Sequence, residues 1–455
     1  MRPVDAASNG KGEGPRAWRW PLLAATAIGL TIGAGLLLDR PGERARLTPA
    51  LVSPAFGPAT YAARVESSED AVLRAERRYA EAPDEWVRGE VLARALVDRF
   101  RLAGDVSDLE RAEVLLEQGL ELAPAPSGPA LARAQAALLR HDLDRATSAL
   151  DRMDAWAIVP SREVRSEVKA LRGDIAYQRG ALADAERLYA EAQEIEGSSS
   201  ITMRQAQLEL SRGNFGRAAD FAERAIRAGG PPAAMAQKAL LRANIAYAVG
   251  DVSSAGQWIA AAQDWYPGFW LADAYGAQQR ALQGDVEGAI DEYRRIAADA
   301  EHPELLDALA GLLEQQGRDA EASEAIAQAR RAWVAKLGTM PDAVRLHAAE
   351  HYLAYGDADF ALRLVEADMA ERPHGVGYAA LAHAQRFTGQ GEAALATVER
   401  AEREGWVSTA LDMERYDALT MLGREREAAA ALKRAKRRNA LVGDPRAELM
   451  AFGIH

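Results

Sequence analysis

Two stretches decide how this chain folds: LRGDIAYQRG at Leu171–Gly180 and LRANIAYAVG at Leu241–Gly250. Five residues after each closing Gly stands an Ala, Ala185 or Ala255, followed by Tyr189 or Ile259 and then by Ala192 or Ala262. Pro267 closes the second unit. The frame recurs at Gly213 with Ala218, Ala222 and Ala225, at Gly284 with Ala289 and Tyr293, and at Gly317 with Ala322, Ile326 and Ala329. It returns at Gly356 with Ala361, Val365 and Pro373, at Gly389 with Ala394, Val398 and Ala401, and at Gly423 with Ala428, Leu432 and Ala435. Upstream, Gly104 leads through a longer turn to Ala112, Leu116 and Gly119, and His141 takes the Gly position before Ala146, Leu150 and Met153. From Gly180 to Gly423 the turn positions lie 33, 37, 34, 33, 39, 33 and 34 residues apart.

A turn between two antiparallel helices needs a residue that tolerates positive φ, which is the use of Gly. Asp105, Asp251, Asp285 and Asp357 follow such a Gly, where a carboxylate meets the positive end of the next helix. Val252, Ala255, Ile259 and Ala262 share one helical face. The small members of that face mark where two helices cross closely. Pro231, Pro303 and Pro341 fall where a first helix begins, a position that tolerates Pro. Apolar residues make up 49% of the chain but aromatics only 6%, and Ala, the best helix former, dominates the apolar class.

The unit resembles the tetratricopeptide repeat, a helix–turn–helix of about 34 residues. The resemblance spans about residues 86 to 438, nine or ten units, and departs from the family in lacking most of the aromatics near the start of each first helix. It implies an all-α, right-handed solenoid over residues 62–438, with the helix at 62–83 as an N-terminal cap and 439–455 as a tail. The basic last helix, Ala428–Arg438, reads as a terminal cap with a solvated outer face. The family binds proteins and peptides along a groove lined by first helices. Carried over by position, that surface comprises Asp174, Tyr177, Gln207, Asn244, Tyr247, Gln278, Glu350, His383 and Arg386. Asn244 matches the carboxylate-clamp subset of the family, but the lysines of that clamp are missing.

Ahead of the repeats, Pro21–Leu38 is an eighteen-residue run without a charge, flanked by Trp18 and Trp20. As a helix it spans about 27 Å, close to the hydrocarbon thickness of a bilayer. Residues 1–20 carry Arg2, Lys11, Arg16 and Arg19 against Arg40, Arg44 and Arg46 after the run, and this count of four to three under the positive-inside rule sets the N-terminus in the cytoplasm. We therefore expect an uncleaved anchor at 21–38 in the inner membrane, a Pro-rich spacer at 39–61 and a solenoid facing the periplasm. A cleaved signal peptide is the competing reading. Ala25, Gly29 and Gly33 share one face of the anchor and suit pairing of two such helices as a homodimer.

The net charge of −12 argues against a general nucleic-acid binder. With no cysteine, the chain has no disulfides, thiolate metal site or cysteine nucleophile. His347-Ala-Ala-Glu350-His351 matches the H-x-x-E-H string of inverted zinc peptidases, yet it falls within a first helix and brings no third ligand. No phosphate loop, serine elbow or dinucleotide fingerprint occurs, and the repeats leave no room for a catalytic domain, so neither an enzyme nor a cofactor is expected. Trp265, Tyr266, Phe269 and Trp270 cluster in an aromatic-poor chain, as junction packing or as an anchor pocket for a partner. The function expected is a membrane-anchored scaffold or adaptor in envelope assembly or secretion. A polysaccharide-binding role, with Tyr177, Tyr247 and the aromatic cluster stacking on sugars, is the alternative, followed by a zinc hydrolase at His347 and His351.

Overall fold

The computed structural model describes residues 47–156, 158–299 and 302–452. Twenty-one α-helices run from Tyr61–Glu81 to Glu425–Arg438, and the described residues contain no strand. After Tyr61–Glu81 the helices pair into ten antiparallel hairpins, from Trp86–Ala103 with Val106–Leu122 to Thr409–Met421 with Glu425–Arg438. This is the tetratricopeptide-like array, all-helical and continuous.

The turn chemistry follows the expected frame. Nine of the ten turn positions have positive φ, including His141 at 59°, the one non-Gly residue in that region among the described residues. A side chain there costs about 1–2 kcal/mol. His141 offsets part of this through a 2.8 Å hydrogen bond from Nδ1 to Gln178 Oε1. Burial, then the nearby Arg372 and His347, lower its pKa to about 3, so the ring is neutral. Gly356 departs from the frame with φ −142°. Asp105, Asp142, Asp251, Asp285 and Asp357 each accept from a backbone N–H in the first turn of the following helix. The alanines of the frame, from Ala112 through Ala255 to Ala428, are all buried. At those crossings a larger side chain would hold the backbones apart.

Curvature sets the inside. First helices of neighbouring hairpins touch, as Arg162–Gln178 does Ser199–Ser211 and Gly375–Phe387 does Thr409–Met421, so they line the tighter radius. The curl is tight enough for the array to meet itself. The turn of one hairpin lies against the connector that precedes the hairpin six further along. Arg140 Nη1 reaches Thr339 O at 3.4 Å, and Val407 N donates to Ser211 O at 2.9 Å. A Cβ on Gly180 would sit 2.5 Å from the carbonyl oxygen of Pro373. Past the last hairpin, Ala440 N donates to Val249 O at 3.2 Å in the same manner.

Both flanking segments depart from expectation. Part of the spacer is seated on the array: Leu47 is buried beside Ile226 and Met235, its N–H donates to Glu223 at 3.2 Å, and Ala55 N donates to Gly230 O at 2.7 Å. The tail is seated too, with Leu441, Val442, Met450 and Phe452 buried. Their apolar side chains and open backbone groups find partners on the curled array that no spacer would offer. The anchor at 21–38, with Ala25, Gly29 and Gly33, lies outside the described residues. Among those described, no helix is long and apolar enough to cross a membrane.

Candidate functional site

The inner face proves to be largely occupied by the chain itself. Gln278 has no exposed surface. Its Oε1 accepts from the backbone N–H of Ala451 at 2.5 Å and of Phe452 at 2.6 Å, while its Nε2 donates to Phe452 O at 2.9 Å. One amide thus holds the main chain of a non-helical segment at three points. The Phe452 ring lies 5.7 Å from Tyr275 and 6.1 Å from Tyr293. Asn439 Nδ2 donates to Tyr247 O at 2.9 Å, and Tyr247, fully buried, gives its hydroxyl to Gln279 at 2.8 Å. Half-buried Asn244 bonds the Tyr275 hydroxyl. Gln278 and Tyr247 therefore do not line an open groove, because the chain's own tail fills it.

Further along, the expected residues pair with one another. Arg204 Nε donates to both Asp174 carboxylate oxygens at 2.9 Å, and Tyr189 adds its hydroxyl at 2.9 Å. Burial raises the Asp174 pKa against the pull of Arg204. His383 Nδ1 meets Glu414 Oε1 at 2.5 Å, and Arg386 Nε donates to Glu414 Oε2 at 3.1 Å. Burial alone would raise Glu414, but His383 and Arg386 beside it hold it below its ordinary value.

The His-Glu-His string is packing. His351 Nδ1 bonds Asp307 Oδ1 at 2.7 Å, and Trp333 Nε1 donates to Asp307 Oδ2 at 2.7 Å. His347 Nδ1 stays 4.0 Å from Glu350 Oε2. Glu350 is pushed well above the carboxylate range by burial and then by the neighbouring Asp307 and Glu304. Among the described residues no group of three or more His, Asp or Glu is placed to hold a metal. His351 Nδ1 is held by Asp307 of the adjoining hairpin, and among the described residues no third ligand joins His347 and His351. The aromatic cluster is junction packing as well. Tyr266 is buried, with Phe269 5.6 Å and Tyr61 6.1 Å from it, and Trp270 stacks on His302 at 3.7 Å.

One place on the seam stays open. A cleft open to solvent lies between the helices carrying Tyr177 and Gln207 and the connector that leads into Thr409–Met421. Tyr177, Gln207 and Phe215 form one side, and Val376, Trp406 and Thr409 form the other. Tyr177 pairs its hydroxyl with Ser211 Oγ at 2.6 Å and stands edge-on to Trp406 at 5.4 Å. Of the nine groove residues expected, the cleft brings together Tyr177 and Gln207. Trp406 and Thr409 went unseen in the sequence. They sit between repeats and at a helix start, and only the curl carries them to the inner face.

No family model and no curated protein matches this chain. Among solved structures, a tetratricopeptide repeat protein from Parabacteroides merdae is 15% identical, covering 62% of this chain and 98% of its own, at a TM-score of 0.32. An IFIT1 monomeric mutant with Gppp-AAAA is 14% identical over 81% of this chain and 95% of its own, at 0.41. The Cut9–Hcn1 hetero-tetramer of the APC/C gives 14% identity over 80% of this chain and 76% of the other, at 0.40.

Proposed function

We propose that this chain is a protein-interaction scaffold that takes extended segments of partner proteins against its inner face. One observation carries the reading: the Gln278 amide, with Tyr275 and Tyr293 nearby, already grips the main chain and ring of a non-helical segment at Phe452. A rigid helical array with amides facing inward is suited to reading backbone. We place the scaffold at the inner membrane, anchored by residues 21–38 with the repeats in the periplasm, serving envelope assembly or secretion. The charge-free run Pro21–Leu38 and the basic residues before it support that placement.

Carboxyl-directed cross-linking in native membranes, with mass-spectrometric identification of the linked peptides, tests the scaffold. One or a few envelope proteins linked to inner-face hairpins are expected; a chain linked only to itself would end the reading. A reporter active only outside the cytoplasm, fused after His455, tests the placement. A silent fusion at normal expression would move the array to the cytoplasm.

A further inference from the structure

We infer that the open seam cleft is the seat for an uncharged, extended peptide segment whose main chain is read by Gln207, Trp406 and Thr409. This rests on the scaffold reading and specifies where the segment lies and what it is made of.

The first support is internal to the repeat. Gln207 stands six residues before the turn residue Gly213, as Gln278 stands six before Gly284. At Gln278 the amide offers an acceptor to two N–H groups and a donor to one carbonyl of the chain's own tail. Gln207 brings the same side chain to the same step of the array, but there it lines a cleft. It bonds the Tyr177 hydroxyl, which leaves further donor and acceptor capacity on the amide.

The second support is independent. Trp406 is 1% exposed and Thr409 5%, both line the cleft, and neither Trp406 Nε1 nor Thr409 Oγ1 has a hydrogen-bond partner. Buried polar atoms are almost always satisfied, so two orphans in one cleft point to a ligand that completes them. The indole N–H can only donate, which requires an acceptor such as a peptide carbonyl; the threonine hydroxyl serves either role.

The walls decide the rest. No Asp, Glu, Lys, Arg or His lines the cleft, so a charged side chain would lose its water without gaining a counter-charge. Leu210, Phe215, Val376 and Ala379 offer the apolar bed that an aliphatic or aromatic side chain requires, as Tyr275 and Tyr293 do for Phe452. A sugar fits less well. Trp406 packs on Gly375, where a Cβ would lie 2.6 Å from the indole, and it meets Tyr177 edge-on, so it offers no free face for stacking.

The test is a phage-displayed library of random dodecapeptides selected on the full chain in detergent. Enriched synthetic peptides are then titrated by fluorescence anisotropy. Peptides with a central uncharged apolar residue are expected, weakened about tenfold by Gln207→Ala, Trp406→Phe or Thr409→Val, the loss of one hydrogen bond each. The Thr409→Val change is nearly isosteric and guards against a folding artefact. Bound peptide should also slow hydrogen exchange across residues 407–411. Peptides that bind all three variants as they bind wild type overturn the cleft and leave the scaffold reading on another surface. A library that enriches nothing overturns both. Enrichment of centrally charged sequences overturns the uncharged occupant.

Discussion

Gln278 and Gln207 occupy the same step of the repeat, two hairpins apart, yet one is sealed and the other faces a cleft. The tail leaves the last hairpin at Asn439, crosses to Val249 and runs on to Phe452, so the seam beside Gln278 is filled by the chain. At Gln207 the corresponding connector, with Trp406 and Val407, reaches the seam and continues into the helix Thr409–Met421. It therefore closes only part of the space. Equivalent positions in a repeat thus take different roles according to what the next pass of the curl brings to them. The filled site is structural, and the open one has binding capacity to spare.

The comparison breaks most visibly if the filled site is not structural. Phe452→Ala removes a buried ring from between Tyr275 and Tyr293 and should cost about 3–5 kcal/mol, read from the urea midpoint. The seam itself is tested by Gly180→Ala, which combines φ of 78° with a Cβ 2.5 Å from Pro373 O; about 3 kcal/mol is expected. Gln278→Ala strands two N–H groups and one carbonyl and should cost about 2–3 kcal/mol, with faster hydrogen exchange at residues 451–452.

Away from both seams, charge and pH offer a further test. Burial, opposed by Arg386 and reinforced by Glu414, raises Asp417 to about 6 from an ordinary 3.8. Folding thus favours its protonated form, so its contribution is full below pH 3.8 and lost as pH rises through 6. Asp417→Asn should raise stability by about 1–2 kcal/mol at pH 7.5 and leave it unchanged at pH 4, in paired denaturation curves. The smallest effect belongs to Thr409→Val. Its hydroxyl has no partner to lose, so stability should not fall and should rise by at most about 1 kcal/mol, in contrast to Gln278→Ala. A loss of 2 kcal/mol would show that the hydroxyl is already satisfied and the cleft complete.

Local chemistry was readable from one dimension. The Gly frame, His141 in the Gly position, the Asp caps and the buried alanines all follow from contacts within a hairpin or between neighbours, and such contacts leave a period in the sequence. Of the site, Tyr177 and Gln207 could be placed on first helices by that same period. Asp174, His383 and Arg386 were placed just as well, but their partners Arg204 and Glu414 sit on the next first helix, where repeat position alone does not reveal a charge pair. Meetings between residues nearly two hundred positions apart, such as Ser211 with Val407 or Val249 with Ala440, depend on small rotations summed over six hairpins, and no local pattern encodes that sum. The amino-acid sequence by itself determined a helical-repeat array and which side chains lie on its first helices. Only the tertiary structure decided that the array closes on itself, that its tail fills one seam, and that Trp406 and Thr409 complete the other.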